Sequence, residues 1–343
     1  MRRAGDATGR SNAGTAMRRG HPLAPDVERA ASAPVAPWVL FAALFGVFLI
    51  WSNSFHAIAY FRRALDLDTA TAVALRYGPV FPLCLAYCLV RWRDTRSLLA
   101  HHAPRVILMG LCMVPLYNLP LMWGQGRVPP ATASLLIAMT PVFALLLALA
   151  FLGERARLTK LCGMGLAFTG VILLVRSQQA LFGPGYVPHA AVVLIAPLSW
   201  AAATTIGKAL TRHSDPLLVT FTATAIGSVP FALYLGSGGG ASYAVIAALT
   251  PTGWAAWIHL ALLCTIVGFG VWFWTLRYLP ASTVAAFIYL NPPLTAAFGF
   301  VWGTENFRWA TVLYGAVTLA GVALSAGLWT RRPPTAGGRP VTR

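Results

Sequence analysis

The chain has 343 residues, 57% of them hydrophobic and only 10% charged, with a mean hydropathy of +0.67. Soluble domains carry about 25% charge and disordered chains need low hydrophobicity, so this composition excludes both and leaves a polytopic membrane protein. The net charge of +17 comes from short Lys/Arg clusters between apolar stretches, the pattern of cytoplasmic loops beside anionic lipid rather than of a nucleic-acid surface.

Residues 1–36 read as a disordered cytoplasmic tail rich in Ala, Gly, Pro and Arg, with no apolar period and no small-residue cleavage site. Beyond it, a helix needs about 20 apolar residues to cross the hydrocarbon layer. Ten such segments can be marked: 37–60, 69–90, 104–125, 129–152, 158–176, 188–210, 216–236, 254–276, 280–303 and 308–329. They are roughly twice the length of barrel strands, so the expected fold is all-α. Gly236–Gly240 reads as a flexible loop, and residues 330–343 as a short cytoplasmic tail. The five cysteines, Cys84, Cys88, Cys112, Cys162 and Cys264, all lie in apolar stretches, which indicates neither a disulfide framework nor a metal site.

With ten spans both termini share a side. Of the 26 Lys and Arg, 20 fall on that side and 5 on the other, Arg76 lying inside the second span. The positive-inside bias therefore places both termini in the cytoplasm.

The chain also repeats itself. At an offset of 151, Thr132, Pro141, Glu154, Gly170 and Val171 fall on Thr283, Pro292, Glu305, Gly321 and Val322; at 149, Trp51 falls on Trp200. The copies, 37–176 and 188–329, have five spans each. Five is odd, so the second copy is expected upside-down relative to the first, as in transporters that bind substrate near the midplane between the halves.

The run PPATASLLIAMTPVFALLLALAFLGERARLTKLCGMGLAFTGVILL (130–174) resembles the fourth and fifth helices of an EamA domain of the drug/metabolite transporter superfamily. LPASTVAAFIYLNPPLTAAFGFVWGTENFRWATVLYGAVTLAGVAL (279–324) is similar to the same pair in a second copy. Trp51-Ser52-Asn53-Ser54-Phe55 resembles the family's "WGxNF" segment and Leu75-Arg76-Tyr77 its "RF" segment, with Ser52 and Thr304 standing where the family usually has Gly. The resemblance covers residues 37–329 and implies a metabolite transporter, with export of an amino acid or related compound as the expected activity.

Arg76 is the one basic residue well inside a span, roughly 10 Å deep, where a charge must face a wet cavity or the bundle interior. It suits a substrate carboxylate or phosphate; the alternative is a structural clamp on a neighbouring helix. Asn53 and His56 share a helix face with Ser52 nearby. They are candidates for lining the cavity, with His56 a proton-coupling group, or for interhelical hydrogen bonds. Trp51 and Trp200, repeat-related and mid-span, are candidates to stack on substrate.

Pro141 and Pro292 each remove a backbone hydrogen bond mid-helix, a break tolerated where it lines a cavity. Glu154 and Glu305 follow the fourth and ninth spans on opposite membrane faces, where an acid is unfavourable for the helix dipole unless a cation pairs with it. They are read as gate latches. Gly299 and Gly303 form a GxxxG that fits packing within the chain or a homodimer seam.

The expected partners are a small-molecule substrate and the lipid bilayer, with proton or ion coupling and no cofactor. No Walker GxxxxGK[ST] run is present, so ATP is not expected to power transport directly. An intramembrane enzyme would need a HExxH, GxSxG or paired-acid constellation, which is missing, and a channel fits poorly with a five-plus-five repeat.

Overall fold

The structure is a computed structural model and describes residues 35–151, 158–183, 185–239, 242–279, 284–285, 287–304 and 308–325. The elements among these residues are all helices, joined by short turns, with no strand among them. The principal helices are α1 (Pro37–Ala64), α2 (Thr69–Val90), α3 (Trp92–Gly124), α4 (Pro130–Ile137 and Thr140–Phe151), α5 (Leu158–Phe182), α6 (Tyr186–Leu210), α7 (Pro216–Gly236), α8 (Pro251–Tyr278), α9 (Phe287–Val301) and α10 (Trp309–Ser325). Eight, α1 to α8, are long and apolar enough to cross a membrane; the described parts of α9 and α10 are shorter apolar helices. From Leu40 onward the chain forms one compact unit.

Helix α3 starts a full twelve residues before the expected 104. Hydropathy marks where lipid begins, whereas the helix runs on through the charged segment Trp92–His102, with Asp94 in its first turn and a kink at His102 (φ −135°, ψ 15°). A short helix, Ser242–Ala247, follows the glycine loop. Gly303, the second glycine of the GxxxG, adopts φ +62° with open space where a Cβ would stand. It therefore turns the chain out of α9 rather than lining a helix seam.

Several helices are broken near their middles. Pro79 follows Gly78 in α2, Val114 leaves helical geometry (φ −103°, ψ −79°) before Pro115 in α3, and His259–Val267 of α8 is a π-helical turn. Helix α9 opens with a 3₁₀ turn before Pro292. In lipid the freed carbonyls need other donors, and polar side chains bond carbonyls around the breaks. Asn118 Nδ2 donates to Met113 O (3.1 Å) and Val114 O (2.9 Å), Thr140 Oγ1 to Ile137 O (2.6 Å) and Thr265 Oγ1 to Leu260 O (2.9 Å).

The helices pack as a pseudo-two-fold arrangement in which helix n of the first copy corresponds to n+5 of the second. Helices α2, α4 and α5 each pack on their own counterparts, α7, α9 and α10. Other contacts come in exchanged pairs, among them α3 on α7 with α2 on α8, and α4 on α6 with α1 on α9. At the α5–α10 crossing the repeat-related glycines do equivalent work. A Cβ on Gly170 would lie 2.6 Å from Thr318 N, and one on Gly321 would collide with Ala167 N.

Helix ends follow the same relation. Arg62 and Arg63, ending α1, donate to Met122 O and Gln125 O at the C-terminal end of α3 (both 3.0 Å). Lys208, near the end of α6, donates to Leu276 O and Leu279 O at the end of α8. Cations there also complement the helix dipole.

Candidate functional site

The helix breaks surround a small cavity between the two copies. Its wall is largely aromatic: Trp51 and Phe55 from α1, Tyr117 from α3, Trp200 from α6 and Phe269 from α8. Trp51 and Trp200 meet edge to face, centroids 5.5 Å apart at 90°, and Phe269 lies 5.2 Å from Trp200. The Trp51 indole is pinned by donating from Nε1 to Cys264 O (2.9 Å), a carbonyl of the π turn in α8.

Arg76 reaches this cavity from α2 and is 3% exposed. Its Nε donates to Thr265 Oγ1 (3.2 Å) and its Nη1 to Asn118 Oδ1 (3.1 Å), while its Cζ stands 5.2 Å from the centre of the Tyr77 ring. Asn118 in turn donates to the Tyr77 hydroxyl (2.8 Å). The guanidinium is thus oriented by neutral groups, and no acidic side chain lines the cavity among the described residues. The orienting groups set its direction but leave its charge uncompensated.

The second polar group in the wall is Asn291 of α9, whose Oδ1 accepts from Ser52 Oγ (3.0 Å). Asn291 stands at an offset of 151 from Thr140, and each directly precedes the mid-helix proline, Pro292 and Pro141. Thr140 closes its own helix by bonding Ile137 O, whereas the Asn291 amide lines the cavity. Ile137 and Ile288, whose carbonyls would have bonded the two missing proline N–H groups, line it as well. A two-fold frame thereby carries a one-sided site, cationic on the first copy and amide-bearing on the second.

Asn53 and His56 fall on the face of α1 that packs against α9 rather than on the cavity wall. Asn53 Oδ1 accepts from Trp302 Nε1 (3.0 Å). His56 Nε2 lies 2.8 Å from Thr295 O, so that nitrogen donates, and Nδ1 lies 3.0 Å from Thr304 Oγ1. Thr295 Oγ1 donates back to Ser52 O (3.2 Å), so these six residues form an interhelical seam. Glu154 and Glu305 lie outside the described residues. No group of three His, Cys, Asp or Glu that could hold a metal ion occurs among the described residues.

Among the residues that the sequence did not single out as site members are Asn118, Thr265, Tyr117, Phe269 and Asn291. Asn118 had a signal in its place between Pro115 and Pro120, where a broken helix needs a side-chain donor. Asn291 had one in its position before Pro292.

Comparison with known proteins is consistent across sequence and fold. The EamA-like transporter family matches twice, over residues 36–176 and 188–327. A probable terminal-alkyne amino-acid exporter of Streptantibioticus cattleyicolor is 29% identical over 80% of this chain and 89% of its own length. An uncharacterized inner membrane transporter of Escherichia coli, YedA, is 25% identical over 84% and 91%, and an uncharacterized transporter of Archaeoglobus fulgidus 25% identical over 79% and 93%. A solved crystal structure, 19% identical, superposes with a TM-score of 0.58 over 85% of this chain and 98% of its own, a likeness of fold. With both copies matched in register with the internal repeat, this chain belongs to the EamA-like transporter family.

Proposed function

We propose that the protein is a secondary transporter that exports a small polar metabolite, an amino acid or a related carboxylic compound, across the cytoplasmic membrane by alternating access. In this reading ten helices form two inverted five-helix repeats, both termini are cytoplasmic, and Glu154 and Glu305 latch the inner and outer gates. The observation that carries it is the cavity between the copies, where Arg76 and Asn291 present polar groups from opposite repeats against an aromatic wall. A guanidinium fork pairs with a carboxylate in bidentate fashion, and Trp51 and Trp200 offer rings to the rest of the molecule. The similarity to a probable amino-acid exporter supports the same class.

The test has two parts. Reporter fusions at residues 96, 212 and 335 should read cytoplasmic, and those near 66, 183 and 240 periplasmic. Purified protein screened by thermal shift against amino acids and related carboxylates should be stabilised by its substrate, which should then leave loaded proteoliposomes. Stabilisation without efflux would make the protein a binder rather than a transporter.

A further inference from the structure

The charge inventory of the membrane-spanning part is one-sided. From residue 37 onward the sequence holds six acids, of which Asp66, Asp68, Asp94 and Asp215 are among the described residues; Asp66, Asp68 and Asp215 lie between helices and Asp94 in an exposed first turn. Asp68 and Asp215 cap helix N-termini, and Asp94 and Asp215 pair with Arg91 at its end of the bundle. Among the described residues no acid pairs with Arg76, whose partners Thr265, Asn118 and the Tyr77 ring are all uncharged. A buried cation of this kind is normally balanced by a buried acid.

We infer that the counter-charge of Arg76 is the substrate itself, a small organic monoanion with an apolar body and no compensating ammonium group, and that membrane voltage drives its export. This deepens the transporter reading and rests on it. The cavity offers a carboxylate one guanidinium and one amide, and offers an ammonium no carboxylate among its described walls. The remaining wall, including Trp200, Phe269 and Ile288, suits an apolar body.

The charge balance then sets the energetics of the cycle. With substrate bound, Arg76 and the anion sum to zero and the loaded carrier reorients without moving net charge. After release outside, the empty carrier returns with one uncompensated positive charge. An inside-negative potential pulls that charge inward, so each turn expels one negative charge and needs no coupled proton or sodium ion.

The experiment uses the full chain in proteoliposomes with a potassium diffusion potential set by valinomycin. The probes are N-acetyl-L-phenylalanine and N-acetyl-L-leucine (monoanions), the parent amino acids (zwitterions) and the N-acetyl amides (neutral). The monoanions should leave and settle at an out-to-in ratio of about tenfold at about 60 mV, inside negative. Homoexchange of the same probe bypasses the empty return and should be insensitive to voltage. Arg76→Gln should abolish monoanion flux, and Arg76→Lys should retain its voltage dependence at a lower rate. If the zwitterions or amides move and the monoanions do not, or if net efflux ignores voltage, the inference is overturned while the transporter reading stands. Flux of none of the six removes both.

Discussion

Trp51 and Trp200, at an offset of 149 in the chain, touch each other edge to face with ring centroids 5.5 Å apart, although they belong to different copies of the repeat. Equivalent residues of two copies meet in this way only near the axis that relates them. The contact therefore marks the local two-fold, and the cavity opens beside it. Trp200 is also 5.8 Å from Trp272 and 5.4 Å from Tyr117, so it joins the aromatic wall to the packed core. Trp200→Ala should cost about 3–5 kcal/mol of stability, by analogy with other buried Trp truncations. Trp51→Phe keeps a ring but loses the bond to Cys264 O and should cost about 1 kcal/mol. Thermal melts in detergent give the ranking, and equal losses would show that Trp200 is not the hub.

Gly170 and Gly321 test the two-fold away from the site. Their missing Cβ atoms would collide with backbone of the partner helix, which has no flexible end to move aside. Gly170→Val and Gly321→Val should each destabilise by at least about 1–3 kcal/mol, and by similar amounts. Unchanged melting of either variant would mean that the α5–α10 crossing is looser than described.

Thr140 and Asn291 should separate stability from function. Thr140→Val orphans Ile137 O in an apolar setting, so it should cost about 1–3 kcal/mol while substrate affinity stays near wild type. Asn291→Ala should leave melting within about 1 kcal/mol of wild type, a membrane side-chain bond being worth roughly that. Its substrate affinity should fall, read as a smaller ligand-induced shift. The opposite assignment of effects would give the second polar binding role to Thr140 rather than Asn291.

The connection from α1 to α2 predicts a pH response. Partial burial pushes the Asp68 carboxyl up, but donors from the Thr71 side chain and the Thr71 and Ala70 backbone, with the Arg62 charge, hold it below its ordinary 3.8 overall. A carboxylate lowered in the folded state stabilises above its ordinary value, and that contribution fades as pH falls through the folded-state value. Asp68→Ala removes the N-cap of α2 and should cost about 1 kcal/mol near neutral pH. The gap from wild type should close in melts recorded below pH 3.8. A constant gap would make the hydrogen bonds to Thr71 independent of the charge.

Much of this architecture was written in the sequence as period and repetition. Apolar length marked the helices, and the spacing of Trp51, Gly170 and Pro141 from their counterparts marked the two copies. The start of α3 was hidden because hydropathy reports the lipid boundary, while the charged turns Trp92–His102 remain helical outside it. In the site, Arg76, Trp51 and Trp200 were legible because a buried charge and a repeated indole are rare. Asn118 and Thr265 were not, since neutral polar residues are common helix glue in membranes and only tertiary structure shows which reach a cavity. The same ambiguity separated α1's faces: Trp51, Ser54 and Phe55 line the cavity, while Ser52, Asn53 and His56 bond α9. Helical geometry fixes that the two sets diverge, but not which one faces the substrate.

The central claim is that one cavity between the repeats is exposed to the two sides of the membrane in turn. Ile137 and Ile288, at an offset of 151, both line that cavity, so a single cysteine at either position in a chain lacking the five native cysteines reports on it. Labelling with a membrane-impermeant thiol reagent, applied from outside to cells and from the cytoplasmic side to inverted vesicles, is the direct measurement. Alternating access predicts that both cysteines react from both sides and that transported substrate protects both. Reaction of Ile137→Cys from one face only and Ile288→Cys from the other, with no protection by substrate, would contradict a shared, alternately exposed site.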